Sequence, residues 1–184
     1  MKTLLLNGSP HPSGDTAALV AHLFSRFPET HRIHQIDAYT AGIAPCCDCR
    51  YCWKADGCCI RDPMNGLIDE LDSFDNILIA SPVYFSTLTP PLLSVASRLQ
   101  LIYTSRRFRG KKLITRRKKG GVILTGGGEG SLSPAWETAR SMLRVMGAKE
   151  IFPLVSSHHT DSLPAREDTE ALKQAEKLAE FFLD

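Results

Sequence analysis

The chain has 184 residues, of which 43% are hydrophobic and 23% charged, and its formal net charge is +2. These values are ordinary for a globular protein, and the small net charge gives no general attraction to nucleic acid or to a membrane. No stretch approaches the roughly 18 apolar residues of a membrane span, and nothing has the pattern of a signal peptide. We therefore expect one cytoplasmic domain over residues 1–184 that binds neither nucleic acid nor a membrane.

Short apolar runs alternate with longer segments of helical periodicity along the chain. The predicted strands are 2–6, 31–36, 77–80, 121–125 and 150–156. The predicted helices are 16–27, 64–71, 90–104, 133–146 and 167–183. Between them, the segment 37–62 is dense in cysteine, glycine, proline and aspartate, and it is predicted to be a long loop.

This alternation predicts a doubly wound α/β fold with right-handed crossovers and helices on both faces of a parallel sheet. Five predicted strands suit the flavodoxin-like order 2-1-3-4-5. Ligands of such sheets bind beyond the carboxyl ends of the strands. The loops 7–15, 81–89 and 126–132 are therefore predicted to carry the function.

The first of these loops is rich in small and hydroxyl residues just before a predicted helix. Backbone N–H groups at a helix N-terminus bind phosphate without a cation. The loop has neither the Gly-Lys-Ser/Thr of a P-loop nor a G-x-G-x-x-G pattern, which disfavours nucleoside triphosphates and dinucleotides. An ordinary turn capped by Ser13 or Asp15 is the alternative interpretation.

The other two loops have features suited to a planar ligand. Tyr84 and Phe85 follow a buried strand, where they could flank a ring or simply cover the core. Gly126, Gly127 and Gly128 allow close approach of the backbone to a ligand, although a flexible turn would also use them.

Three segments, each after a predicted strand, resemble the NADPH-dependent FMN reductase family: GSPHPSGDT, SPVYFSTLTPPL and GGG. The resemblance extends over residues 2–160. That resemblance implies a flavodoxin-like FMN-dependent oxidoreductase, with NAD(P)H as a candidate electron donor. It places four residues around the FMN phosphate: Ser9, Ser13, Asp15 and Thr16. It places seven along the isoalloxazine: Pro82, Val83, Tyr84, Phe85, Gly126, Gly127 and Gly128.

Asp15 departs from the neutral Asn or Ser that is usual in this family. A carboxylate repels a phosphate dianion unless it turns away. Such a turn could let Asp15 cap its own helix. We therefore expect either somewhat weakened FMN affinity or a contribution of Asp15 through its backbone N–H.

All six cysteines lie between residues 46 and 59. Cys46, Cys49, Cys52 and Cys58 are spaced x2, x2 and x5, a compact run that can wrap an iron–sulfur cluster. A four-thiolate zinc site and a set of free or disulfide-forming thiols are the alternatives. The spacing also resembles the iron–sulfur flavoprotein branch of the same family, which implies a 4Fe–4S cluster beside FMN.

The segment 106–119 concentrates positive charge that could steer NADPH, an acidic electron-transfer partner or nucleic acid, although a solvated edge is the simpler interpretation. The expected function is electron transfer between the cluster and FMN, with NAD(P)H or a ferredoxin-like protein as partner. The resemblance implies a homodimer or homotetramer. A metal-free NAD(P)H-dependent FMN or quinone reductase is the alternative, and a zinc-binding regulatory module is a more distant one. No side chain is singled out as an acid, a base or a nucleophile.

Overall fold

Six strands form one parallel sheet in the computed structural model, which describes all residues 1–184. The strands are β1 Lys2–Asn7, β2 Arg32–Asp37, β3 Asn76–Pro82, β4 Lys118–Gly126, β5 Ala148–Ile151 and β6 Val155–His158. Their order is β2-β1-β3-β4-β5, and β6 also pairs with β4. The predicted doubly wound arrangement is confirmed.

Helices connect the strands and cover both faces of the sheet. They are α1 Asp15–Phe24, α2 Tyr51–Lys54, α3 Met64–Glu70, α4 Pro90–Arg98, α5 Gln100–Arg109, α6 Ser133–Val145 and α7 Thr169–Leu183. A short 3-10 turn, Leu71–Ser73, follows α3. None of these helices has the length and apolar character needed to cross a membrane.

The two faces of the sheet have separate apolar cores because successive side chains of a strand point in opposite directions. Leu4, Ile77 and Val122 belong to the larger core. Leu5 and Ile123 belong to the smaller core, on the face that α1 and α7 cover. Burial on both faces explains why these strands are continuous apolar runs in the sequence.

Two predicted elements are divided in the structure. The strand predicted at 150–156 is present as β5 and β6, which flank Pro153, a residue that cannot donate a ladder hydrogen bond. The helix predicted at 90–104 is present as α4 and α5, which meet at Leu99, and α5 continues to Arg109. Gly110 follows α5, and its φ of 64° is typical of the residue that follows a helix.

The parallel register brings the ends of three strands to one edge of the sheet. Asn7 lies opposite Ala80, and Pro82 lies opposite Thr125. The loops that follow β1, β3 and β4 therefore begin side by side, as predicted for a ligand site.

Candidate functional site

The loops after β1 and β3 are in direct contact at Gly8. The Gly8 N–H donates to the Ala80 carbonyl at 2.7 Å, and the Thr89 hydroxyl donates to the Gly8 carbonyl at 2.8 Å. A Cβ at Gly8 would lie 2.8 Å from Leu92 Cδ2 and 2.9 Å from Ser81 Oγ. Only glycine fits this junction without displacing a neighbour.

The N-terminus of α1 presents backbone donors at the same edge. Gly14 is the residue before the helix and has no side chain for a cap, so neither Ser13 nor Asp15 caps α1. The N–H groups of Asp15, Thr16 and Ala17 are bonded to no protein acceptor. Free N–H groups at the positive end of a helix dipole fit a phosphate group.

The predicted phosphate-binding side chains are mostly committed elsewhere. The Asp15 carboxylate accepts a hydrogen bond from Ala165 N–H at 2.7 Å, so it is turned toward the segment before α7. The Thr16 hydroxyl is buried and lies 2.7 Å from the Thr125 hydroxyl. Ser9 Oγ is bonded to the backbone of His11. Among the four, Ser13 alone has an exposed hydroxyl without a protein partner.

The loop after β3 forms a tight turn. Tyr84 and Thr87 exchange two backbone hydrogen bonds of 3.0 Å. Between them, Phe85 and Ser86 have φ values of 50° and 61°, which side-chain-bearing residues rarely adopt. Backbone in such a region is retained where the surroundings require it, often at functional sites.

The two aromatic residues of this turn have different surroundings. Phe85 is fully exposed to solvent. Tyr84 lies beside Tyr39, which follows β2, and burial together with the contact to Tyr84 raises the pKa of Tyr39. Pro82 and Val83 are half-buried at the strand end. Tyr39 was missed in the sequence because it is isolated from the motif-bearing loops along the chain.

The glycine loop after β4 approaches the segment after β6. A Cβ at Gly127 would overlap the Asp161 carboxylate, whereas a Cβ at Gly128 would meet open space. The Gly126 carbonyl accepts a hydrogen bond from Thr160 N–H at 3.1 Å. The backbone at Gly127 therefore lies close to a protein carboxylate, whereas the predicted approach of this loop to a ligand stays a prediction.

The cysteine loop, residues 44–62, packs against α4 and α5. The Thr104 hydroxyl donates to Cys52 Sγ at 3.1 Å, and the Trp53 ring stacks on Phe108 with 4.1 Å between centroids. Asp48 and Arg50 have φ values of 49° and 58°. The loop was predicted to lack regular structure, but it contains the short helix α2. The contacts with α5 hold the side chains of α2 in place.

The four predicted ligands, Cys46, Cys49, Cys52 and Cys58, line one cavity of about 420 Å³. The most closely spaced sulfur atoms form a different set, Cys47, Cys49 and Cys59, which lie within 4.8 Å of one another. Cys49 belongs to both sets, and its sulfur is 3.0 Å from that of Cys59. This contact lowers the pKa of Cys49 and raises the pKa of Cys59 to about 12.

The chemistry of this cavity fits an iron–sulfur cluster. Thiolates are the ligands that such clusters use, and four of them in one cavity are sufficient. Aromatic side chains of Tyr51, Tyr103 and Phe108 form part of the wall.

A buried ion pair adjoins the cysteine loop and was missed in the sequence. Arg98 is 3% exposed and bonds Asp62 with two nitrogen atoms. Burial alone lowers the pKa of Arg98, but Asp62 and the neighbouring Cys58 side chain raise it overall. Burial alone raises the pKa of Asp62, but Arg98 and the Ala44 N–H lower it overall. The pair is therefore charged in the folded protein.

The basic segment is divided in the structure. Several of its cations are paired, such as Arg116 with Asp75 and Lys118 with Asp72. Other cations of the segment, together with one from α6 and one from β5, surround a cavity of about 600 Å³ whose lining contains no carboxylate. We call this lining the basic surface. Its unpaired cations are Arg106, Lys112, Arg117, Arg144 and Lys149.

Comparison with known proteins gives a family and a fold. The profile of the NADPH-dependent FMN reductase family matches residues 1–161. An iron–sulfur flavoprotein of Methanocaldococcus jannaschii is 30% identical over 112 residues, which cover 60% of this chain and 58% of that protein. An iron–sulfur flavoprotein of Archaeoglobus fulgidus is 26% identical over 179 residues, 97% of this chain and 77% of that one.

Solved structures show the same fold at low identity. An azoreductase of Bacillus anthracis has a TM-score of 0.69 and 15% identity, and the match covers 99% of this chain and 100% of that one. An FMN-dependent NADH-azoreductase of the same species, solved in complex with FMN, has a TM-score of 0.68 and 14% identity, with 100% of both chains covered. At this identity the likeness concerns the fold alone.

Proposed function

The chain belongs to the NADPH-dependent FMN reductase family, and on that premise we propose that it is an FMN-dependent oxidoreductase. The observation that carries the proposal is the set of free N–H groups of Asp15, Thr16 and Ala17, at the edge where three loops meet. These donors and the Ser13 hydroxyl would hold the FMN phosphate. FMN supplies the redox chemistry, since its ring system accepts a hydride or single electrons.

The remaining residues of the proposed site would position the ring system. Pro82, Val83 and Tyr84 would lie along it on one side, with the backbone of Gly126–Gly128 on the other. Phe85, exposed on a rigid turn, would cover the ring from solvent. Backbone N–H groups near the glycines would stabilise negative charge on a reduced flavin.

We further propose that Cys46, Cys49, Cys52 and Cys58 hold a 4Fe–4S cluster. Their spacing, their common cavity and the iron–sulfur flavoproteins among the relatives support this ligand set. The cluster would exchange single electrons with FMN. NAD(P)H or an acidic ferredoxin-like protein would be the external partner, and the basic surface suits the acidic protein.

The protein is proposed to work in the cytoplasm as a homodimer or homotetramer of single-domain chains. A groove of about 410 Å³ supports such an assembly. Tyr103, Met142 and Val145 contribute apolar surface to it, from α5 and α6.

The test is an anaerobic absorption spectrum of freshly purified protein, with iron and sulfide assays on the same sample. Flavin bands over a broad absorbance that dithionite bleaches, with about four irons per chain, are expected. Serine variants of Cys46, Cys49, Cys52 and Cys58 should each lose iron. The matched variants Cys47→Ser and Cys59→Ser should keep it. Protein that takes up no flavin when FMN is added would contradict the main proposal.

A metal-free NAD(P)H-dependent FMN or quinone reductase is the second candidate. The observation that favours it is the contact between the Cys49 and Cys59 sulfur atoms, which draws one predicted ligand toward another thiol. This candidate predicts flavin bands without iron after anaerobic reconstitution, together with rapid oxidation of NAD(P)H by a quinone.

A further inference from the structure

The Arg98–Asp62 pair has the geometry of a fixed clamp. Arg98 is the last residue of α4, and its Nη1 and Nη2 donate to the two Asp62 oxygens at 2.6 and 3.1 Å. The side chains are 2% and 8% exposed, respectively. A bidentate bond between a planar guanidinium and a carboxylate fixes both groups in direction as well as in distance.

The same pair joins the two ends of the cysteine loop. Arg98 donates to the Ala44 carbonyl at 2.9 Å and to the Ile60 carbonyl at 3.4 Å. Asp62 in turn accepts from the Ala44 N–H at 3.0 Å. We call these four residues the clasp. Beside it, the Cys46 N–H donates to Ser97 Oγ, on the preceding residue of α4, at 2.9 Å.

The clasp also places charge near the thiols. Arg98 and Cys58 line the same cavity, of about 250 Å³. A positive charge close to a thiolate ligand favours a more negative centre, and a negative charge disfavours it. Since Arg98 and Asp62 neutralise each other, their combined effect on the reduction potential of the wild type is small. Loss of either charge would shift that potential.

We propose that Arg98 is a positioning residue for the four-cysteine site: the clasp holds both ends of the cysteine loop on α4, and the reduction potential there depends on the balance between the charges of Arg98 and Asp62. The proposal rests on the 4Fe–4S cluster proposed above. One-electron reduction adds one negative charge to the centre and breaks no bond, so the potential responds directly to nearby fixed charges.

The test is a redox titration of reconstituted protein, followed by electron paramagnetic resonance, for Arg98→Gln and Asp62→Asn. Arg98→Gln leaves the Asp62 carboxylate uncompensated, so the potential should fall. Asp62→Asn leaves the Arg98 cation uncompensated, so the potential should rise. The double variant should return close to the wild-type value. Shifts in the same direction, or no shift, would overturn the electrostatic role, because loosening of the loop alone cannot produce opposite signs.

The control is the Arg116–Asp75 pair, which joins the same two residue types through a single hydrogen bond and is more exposed than the clasp. Arg116→Gln and Asp75→Asn should leave the potential unchanged. A shift in reduction potential as large as those of the clasp variants would mean that a charge change anywhere alters the potential. That result would overturn the proposal.

Hydrogen exchange on iron-free protein tests the clasp without the cluster. The Ala44 amide should exchange at least tenfold faster in Arg98→Gln than in wild type, whereas the amides of β1 should keep their rates. The double variant guards against a buried unpaired charge, since it removes both charges and leaves an uncharged amide at each position. If the wild type takes up no iron, the cluster is rejected, and unchanged Ala44 exchange would separately reject the clasp.

Discussion

Gly8 lies where the loop after β1 meets the end of β3 and the start of α4. A Cβ there would press on Leu92 and on two hydroxyl groups at 2.9 Å, those of Ser81 and Thr89. All three neighbours are fully buried and cannot move freely. A larger residue at this position would therefore displace the loops that form the proposed FMN site.

Gly8→Ala should lower the free energy of unfolding by about 1–3 kcal/mol, because the added methyl group overfills a packed junction. Urea denaturation measures this change. The control is Gly66→Ala in α3, where a Cβ meets nothing within 4 Å. That change should raise stability by up to about 1 kcal/mol, since alanine favours a helix over glycine. Equal effects at the two sites would contradict the close approach at Gly8.

The buried hydroxyl pair of Thr16 and Thr125 ties α1 to β4. Thr16→Val leaves the Thr125 hydroxyl without its partner and should cost about 1–3 kcal/mol of stability. The double variant Thr16→Val/Thr125→Val should cost less than the sum of the single changes. A double-mutant cycle from urea unfolding measures the coupling. Strict additivity would show that the 2.7 Å contact contributes nothing.

The glycine run was predicted to approach a ligand, and that stays a prediction. In the structure Gly127 lies against the Asp161 carboxylate. The alternative interpretation, a turn capped by Ser13 or Asp15, is wrong: Gly14 precedes α1, and the Asp15 carboxylate has a partner in Ala165, distant in sequence. No local pattern carries such long-range hydrogen bonds, which is also why Arg98 was missed.

Among the connecting elements, the 3-10 turn before β3 is joined to the loop before β4 through Asp72. Its carboxylate accepts from the Thr115 hydroxyl and from the N–H groups of Thr115 and Arg116, the latter both at 2.9 Å, and lies near Lys118. Burial alone would raise the pKa of Asp72, but these donors hold it well below its usual range. Because the folded-state pKa is lower than the unfolded one, the ionised carboxylate stabilises the fold above the unfolded pKa of about 3.9.

The stability of the wild type should therefore fall as the pH drops below about 4 toward the folded-state pKa of Asp72. Asp72→Asn should be less stable at pH 7 and should lose less stability over the same acid range. Thermal unfolding at a series of pH values measures both effects. Asp69→Asn, a change at an exposed carboxylate on α3 without a hydrogen-bond partner, should leave the profile as it is in wild type. Parallel profiles for Asp72→Asn and wild type would refute the assignment.

The strand order was predictable because buried parallel strands are continuous apolar runs separated by helical patterns. The division of the last strand was not predicted, although Pro153 was visible, since the apolar residues on both sides hid the interruption. The shape of the cysteine loop could not be derived from spacing. Contacts with α5, such as Thr104 with Cys52, determine it.

For the molecule as a whole, charge is distributed unevenly despite the net charge of +2. The basic surface lies around the C-terminal half of α5 and the start of β5. Leu113 lines both the basic cavity and the cavity that contains Cys58. An acidic donor protein that docks on this surface would therefore stand close to the cysteine loop.

Arg106→Glu/Arg117→Glu should slow reduction by a dithionite-reduced ferredoxin by about tenfold or more at low salt, because electrostatic steering is lost. The difference from wild type should shrink as salt screens the charges. Stopped-flow absorbance at several ionic strengths measures the rates. Lys173→Glu/Lys177→Glu on α7 is the control of equal charge change and should have little effect. An equal loss with NADPH as donor would contradict a specific role for this surface.

The clasp has a consequence for how such a fold diversifies. Because Arg98 and Asp62 fasten both ends of the cysteine loop at one point of α4, the segment between those ends begins and ends at the same place in the fold. A segment of different length or composition, grafted between the same two anchor points, would leave the sheet and the edge at Gly8 unchanged. In this architecture a metal centre would thus be gained or lost by replacing one segment of the chain, while the rest of the domain stays the same.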